Sequence, residues 1–158
     1  MKLKIGDTAP GLILLDQDKK ARNLEEFLGK GRVVLAFFPG AFTSTCTHEM
    51  CTFRDSISKL NGLGAQIVGI SVNDPWTLKG FANVNAITFP LLSDYTRETI
   101  KAYGVELSDF GGIRGYLVAQ RSIFILDKTG QIEFEWIAPQ AGIEPDYASI
   151  EDHLANSG

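Results

Sequence analysis

The chain has two thiols, Cys46 and Cys51, and the residues around them have types that chemistry uses. Thr43 stands one helical turn before Cys46, and Glu49 one turn after it. An ionised thiol is a strong nucleophile, and its ionisation depends on nearby positive charge and hydrogen-bond donors. The sequence puts Cys46 where both are expected. The run Val33 to Phe38 is apolar and rich in branched and aromatic side chains, as a buried strand should be. Pro39-Gly40 stops it, and a short loop of small and hydroxyl residues, Ala41 to Thr45, follows. Met50, Phe53, Ile57 and Leu60 then recur at spacings of three and four, which predicts one helix over Cys46 to Leu60. Cys46 therefore falls in a helical first turn, where free N–H groups and the positive end of the dipole favour a thiolate. The hydroxyl of Thr43 or Thr45 is expected to cap this end. Set against this, a free cysteine is also a common apolar core filler.

Helix geometry constrains the second thiol. Five residues along one helix leave Cα atoms about 8–9 Å apart, whereas a disulfide needs them within about 7 Å. A Cys46–Cys51 bond therefore requires the helix start to unwind. Two other uses of these residues remain open. Disulfide exchange normally employs C-x-x-C, and the nearest match is T-x-x-C, Thr43 to Cys46. Metal binding would need Cys46, His48 and Cys51 to be joined by the distant His153.

The elements that must position Cys46 follow from the same kind of pattern. Leu12 to Leu15 is expected as a strand that turns at Asp16 to Lys20 and returns at Ala21-Arg22, and Asn23 caps a short helix over Leu24 to Leu28. Gln66 to Val72 is a second buried strand. Asp74-Pro75 starts a helix through Asn83, with Leu78 and Phe81 on its buried face. Phe89 to Asp94 is a short strand, and Thr96 to Tyr103 a short helix ended by Gly104. Alternating apolar strands and helices indicate an α/β fold with parallel strands at its centre. Val105 to Gln120 has no clear period and reads as a long loop, the kind that shapes a site mouth. Arg121 to Asp127 and Gln131 to Ile137 form a hairpin, and Pro145 to Leu154 a last helix with Tyr147, Ile150 and Leu154 buried. Arg54 and Asp55 are expected to pair with other elements.

At 158 residues the chain is expected to be one domain, residues 1–158, with a proper core. A net charge of −4 without a basic run argues against a nucleic-acid surface. No apolar run reaches the length of a membrane span, and the first residues lack the apolar core of a signal peptide. A cytoplasmic location is expected, where thiols stay reduced and serve chemistry more often than structure.

Pro39, Thr43 and Cys46 stand as P-x-x-x-T-x-x-C, which resembles the active-site pattern of peroxiredoxins. The stretch C-T-H-E-M-C-x-F-R-D looks like the peroxiredoxin Q, or bacterioferritin-comigratory-protein, branch. FFPGAFTSTC also resembles the one-cysteine and peroxiredoxin-5-like branches. G-x-x-A-P at Gly6 to Pro10, F-P-L-L-S-D at Phe89 to Asp94, and the run from Arg121 through Phe124 and Asp127 to Gly130 are similar too.

The resemblance implies a thioredoxin-like fold: a central mixed β-sheet flanked by helices, with an N-terminal hairpin. It implies a thiol-dependent peroxidase acting on hydrogen peroxide and organic hydroperoxides, without a metal or bound cofactor. In that reading Cys46 attacks the peroxide, Thr43 holds it, Pro39 shields the sulfur, and Arg121 supplies positive charge. Glu49 then holds Arg121. Cys51 resolves the sulfenic acid as an intramolecular disulfide, and thioredoxin or a similar dithiol reductant restores the thiols. The sequence ends without the long arm that carries the resolving cysteine of typical two-cysteine members. The alternatives are a one-cysteine enzyme resolved by an external thiol, a thiol-disulfide oxidoreductase, and a non-catalytic chaperone or scaffold module. A monomer and a homodimer are equally compatible.

Overall fold

A computed structural model describes residues 2–156. The chain opens with a hairpin of β1 (Ile13–Asp16) and β2 (Ala21–Asn23). The Asp16 carboxylate builds the turn by accepting from the backbone N–H groups of Asp18 and Lys20. Asn23 caps α1 (Leu24–Leu28) in a reciprocal box with Glu26. Then come β3 (Arg32–Phe37), α2 (Ser44–Asp55), α3 (Ile57–Gly62), β4 (Ala65–Ser71) and α4 (Pro75–Asn85). The rest is β5 (Leu91–Ser93), α5 (Glu98–Ala102), β6 (Glu106–Leu107), β7 (Val118–Ala119), β8 (Ser122–Leu126), β9 (Ile132–Ile137) and α6 (Tyr147–Asn156).

The main sheet runs β2-β1-β5-β4-β3-β8-β9. Strands β3, β4 and β5 are parallel; β1 meets β5 antiparallel, and so does β8 meet β3. This is the expected mixed sheet, with the opening hairpin at one edge. Its central strand is buried on both faces, which is why its sequence is continuously apolar instead of alternating. Val33, Leu35 and Phe37 enter one core with α1 and α5 residues; Val34, Ala36 and Phe38 enter a second with α2, α3, α4 and α6 residues. Gly69 lets that second core close. A Cβ there would lie 2.7 Å from Leu91 Cδ2 and 3.5 Å from the Met50 sulfur, so the bare backbone allows α2 to seat on the sheet.

Two expectations need correction. The helix from Cys46 to Leu60 is two helices, broken at Ser56, whose N–H is shared between the carbonyls of Thr52 and Phe53 and whose ψ is 3°. The apolar spacing survives a one-residue break, so Leu60 remains buried and periodicity alone could not reveal the interruption. The segment after Tyr103 is more than a loop: β6 and β7 pair with each other, and a 3-10 turn occupies Phe110–Gly112. The Asp109 carboxylate accepts from Gly115 N–H at 2.7 Å and pins the excursion. Strands of two residues are too short to carry a readable period.

Candidate active site

The loop between β3 and α2 is held by a residue that sequence reasoning passed over. Asn73, just beyond β4, accepts from Ala41 N–H at 2.9 Å, while Ser71 and Ser93 hydroxyls donate to its side chain and backbone carbonyl. Pro39 is buried beneath the loop. Phe42 adopts a φ of 69°, a left-handed conformation rare for a residue with a side chain and typical of constrained functional loops. Phe110 comes over from the β6–β7 excursion, so that a Cβ on Gly40 would lie 3.7 Å from its ring and 3.6 Å from the Thr43 methyl. The irregular segment thus reaches the cysteine loop.

Thr43 precedes α2 with extended backbone, yet its side chain does not cap the helix. Its hydroxyl donates to the Gly40 carbonyl at 2.7 Å. This corrects the capping expectation and has a chemical consequence. The lone pairs of Thr43 Oγ1 stay available, and the N–H groups of Ser44, Thr45 and Cys46 have no acceptor within the helix. Donors therefore surround the first turn that carries Cys46.

Cys46 is fully buried, and the structure brings Arg121 to it from the start of β8. Arg121 Nη1 donates to Cys46 Sγ at 3.3 Å and to Glu49 Oε1 at 2.7 Å. Arg121 Nε and Nη2 donate to the carbonyl of Ala141 at 3.2 and 2.8 Å. All three residues are at most 1% exposed. Burial works against the guanidinium's charge, but Glu49 and Cys46 outweigh it and raise its pKa. For Glu49 burial wins over Arg121, and its carboxyl is pushed up from 4.5 to about 7. The site can accordingly hold a sulfur anion against a fixed cation and stabilise negative charge on a nearby oxygen.

Further hydrogen bonds join His48 of α2 to the chain before α6. Glu144 Oε1 accepts from His48 Nδ1 and from the Tyr147 hydroxyl, both at 2.6 Å. Burial works against the Glu144 charge, yet these two bonds keep its pKa below the ordinary value. The Tyr147 ring packs edge-on against Phe53 of α2. Ala141 and Glu144 come from the chain between β9 and α6, Tyr147 opens α6, and no local spacing in the sequence linked them to Cys46. Only the inward side of Tyr147, which is half-buried, was legible.

Cys51 lies on the same unbroken α2, half-buried, with its thiol 3.6 Å from Asn85 Oδ1 at the end of α4. Arg54 pairs with its own neighbour Asp55 and donates to the Asn85 carbonyl at 2.7 Å. The expectation that the two would pair apart is therefore corrected: adjacent exposed side chains can fold back on each other, and only the Asn85 bond reaches another element. Among the described residues no group of three or more His, Cys, Asp or Glu side chains is placed to hold a metal ion.

A central mixed sheet, opened by a hairpin and bearing a cysteine in the helical turn after its middle strand, defines a thioredoxin-like fold. The chain belongs to the AhpC/TSA family, whose model matches residues 5–135. It is 39% identical over 132 residues to the chloroplastic peroxiredoxin Q of Populus jackii, covering 84% of this chain and 59% of that protein. The chain thus spans about three-fifths of the plant relative's length. Peroxiredoxin Bcp of Escherichia coli is 38% identical over 133 residues, 83% of each chain. Among solved structures, reduced Prx3 of Vibrio vulnificus in complex with hydrogen peroxide superposes with a TM-score of 0.85 at 26% identity, covering 96% of this chain and 99% of that one.

Proposed function

We propose that the protein is a thiol-dependent peroxidase that reduces hydrogen peroxide and organic hydroperoxides at Cys46. The observation that carries this reading is the bond from Arg121 Nη1 to Cys46 Sγ at 3.3 Å in a buried helical first turn. A peroxide needs a thiolate to attack one oxygen, donors to align the O–O bond, and charge stabilisation on the oxygen that leaves. Cys46 is the nucleophile. The first-turn N–H groups and Thr43 Oγ1 hold the substrate, Pro39 keeps water from the sulfur, and Arg121 supports both the thiolate and the departing oxygen. Glu49 and the Ala141 carbonyl hold Arg121 in place. Phe110, whose ring reaches Gly40 of the cysteine loop, and Tyr116 packed against it offer an apolar face to the organic part of a larger hydroperoxide.

The product is a sulfenic acid on Cys46. Cys51 condenses with it after the start of α2 unwinds, and thioredoxin or a similar dithiol restores both thiols. The similarity to peroxiredoxin Q and Bcp supports this cycle. A one-cysteine reading is favoured by one observation: Cys51 is docked on Asn85 within an intact helix. The protein is further read as a single-domain cytoplasmic enzyme, monomeric or homodimeric, and no helix among the described residues is long and apolar enough to cross a membrane.

The test is a thiol count by mass spectrometry after one equivalent of hydrogen peroxide without reductant. Loss of both thiols with an internal Cys46–Cys51 link is expected. Oxygen on Cys46 with Cys51 free selects the one-cysteine cycle, and an unreacted Cys46 refutes the peroxidase.

A further inference from the structure

Cys46, Glu49 and Arg121 are buried together, and they hold two acids against one cation. A single nitrogen, Arg121 Nη1, faces both Cys46 Sγ and Glu49 Oε1. The other donors of Arg121 are directed at the Ala141 carbonyl. No second cation bonds either acid among the described residues. The remaining oxygen of Glu49, Oε2, is buried with no hydrogen-bond partner. A carboxylate oxygen without a donor is costly to bury, and a neutral carboxyl costs far less.

The groups that face Glu49 from neighbouring elements oppose one another, Arg121 favouring its charge and Glu144 its neutral form. On its own helix lies Cys46. From the position just before β8 comes Arg121. From the segment before α6 comes Glu144, whose negative charge acts on Glu49. From α6 comes Tyr147, whose hydroxyl proton is already given to Glu144. Burial together with the Glu144 charge outweighs Arg121 and pushes the carboxyl up to about 7 beside an uncharged sulfur, and a thiolate next to it raises it further.

We infer that Glu49 is the proton store of this site, neutral while Cys46 is a thiolate and ionised once Cys46 is a sulfenic acid. The inference rests on the proposed peroxidase reading. In the first step the Cys46 sulfur donates an electron pair to one peroxide oxygen; the S–O bond forms, the O–O bond breaks, and hydroxide leaves. Sulfur is oxidised by two electrons and the peroxide is reduced by two. The Glu49 carboxyl gives its proton to the hydroxide, which becomes water. The sulfur is now neutral, so Arg121 is left with a single anion, Glu49, and the buried charges again match. When the reductant regenerates the thiolate, Glu49 takes a proton back. Charge inside the site stays constant through the cycle, and no proton has to be drawn from bulk solvent at the moment of O–O cleavage.

The experiment counts protons in Cys51→Ser protein, which stops at the sulfenic acid. Hydrogen peroxide is mixed with the protein in weakly buffered indicator dye at about pH 8, above the range where Glu49 titrates beside a neutral sulfur and below the range to which a thiolate neighbour raises it. Thiolate is followed by ultraviolet absorbance, and the yield is normalised to Cys46 oxidised. With Glu49 present, uptake should be below about 0.3 proton per sulfur oxidised; with Glu49→Gln added it should rise to about one. In parallel, infrared difference spectra of the Glu49-containing protein should lose a carboxylic-acid C=O band on oxidation, a readout independent of whether the Gln variant folds. Uptake of a full proton with Glu49 present, or no loss of the carboxylic-acid band, overturns the inference. Absence of any Cys46 oxidation instead refutes the peroxidase reading on which it depends.

Discussion

Arg121 carries its charge into the core on four hydrogen bonds from its guanidinium. One nitrogen serves Cys46 and Glu49, and the fork behind it closes on the Ala141 carbonyl. A planar, bidentate group is needed for that, and lysine offers a point charge. Arg121→Ala is expected to lower kcat/KM for hydrogen peroxide by about 10²–10³, the usual cost of losing a buried charge stabiliser. Arg121→Lys should recover only a small part; both are read by competition for peroxide, and near-full activity of the lysine variant would count against the bidentate role. Glu49 makes a separate prediction about stability. Its pKa is about 7 folded against 4.5 unfolded, so the folded state binds more protons between those values. The contribution is fully present below the unfolded value and is lost as pH rises through the folded one. Relative to Glu49→Gln, the wild-type melting temperature should therefore fall across that window. A flat difference would mean that Glu49 stays ionised throughout. At this scale the sequence pointed to Cys46, Glu49 and Arg121, which the fold brings together, but misjudged the bond of Thr43. Thr43 was recognisable as the residue before the helix, yet whether its hydroxyl turns to the helix or to Gly40 depends on the loop's path, which Asn73 sets from beyond β4.

The element under most demand is α2. It seats Met50 and Phe53 in the core, points Cys46 at Arg121, and docks Cys51 on Asn85. An internal disulfide requires its first turns to open, which its packing resists. Oxidised protein should thus lose amide-exchange protection across Ser44 to Cys51 while β3 and β4 keep theirs. Asn85→Ala should speed Cys46–Cys51 bond formation, up to about tenfold, because a hydrogen bond of this kind contributes about 0.5–1.5 kcal/mol. Rapid-quench alkylation measures the rate, and an unchanged rate would show that the Asn85 contact does not restrain Cys51. The break at Ser56 sits outside this moving part. It was hidden from the sequence because residues on both sides of it face the same core. The β6–β7 ladder was hidden for a different reason, since two-residue strands are stabilised by what they pair with and carry no pattern of their own.

Over the whole molecule, the sheet fixes the distances that the site needs. Strand β3 sits between β4 and β8, so the loop that follows it and the start of β8 open at the same sheet end, and this brings Arg121 to Cys46. That arrangement tolerates little added volume between α2 and the sheet. Gly69→Ala is expected to destabilise the fold by about 1–3 kcal/mol, the usual cost of overpacking a core. Urea unfolding reads it, and an unchanged midpoint would mean that Leu91 yields without strain.

The sequence by itself determined the α/β class, the strand-loop-helix switch, the turn residues and the position of Cys46, because each follows from local periodicity or from the conformational limits of single residue types. Through the resemblance it also pointed to Arg121 and Glu49. The tertiary structure alone decided that Arg121 bonds Cys46 and Glu49 through one nitrogen, that Ala141, Glu144 and Tyr147 back the site, and that Asn85 docks Cys51. Those contacts join residues far apart in the chain. Their distances and burial, and with them the proton affinity of Glu49, are properties of the packed sheet that no stretch of sequence carries alone.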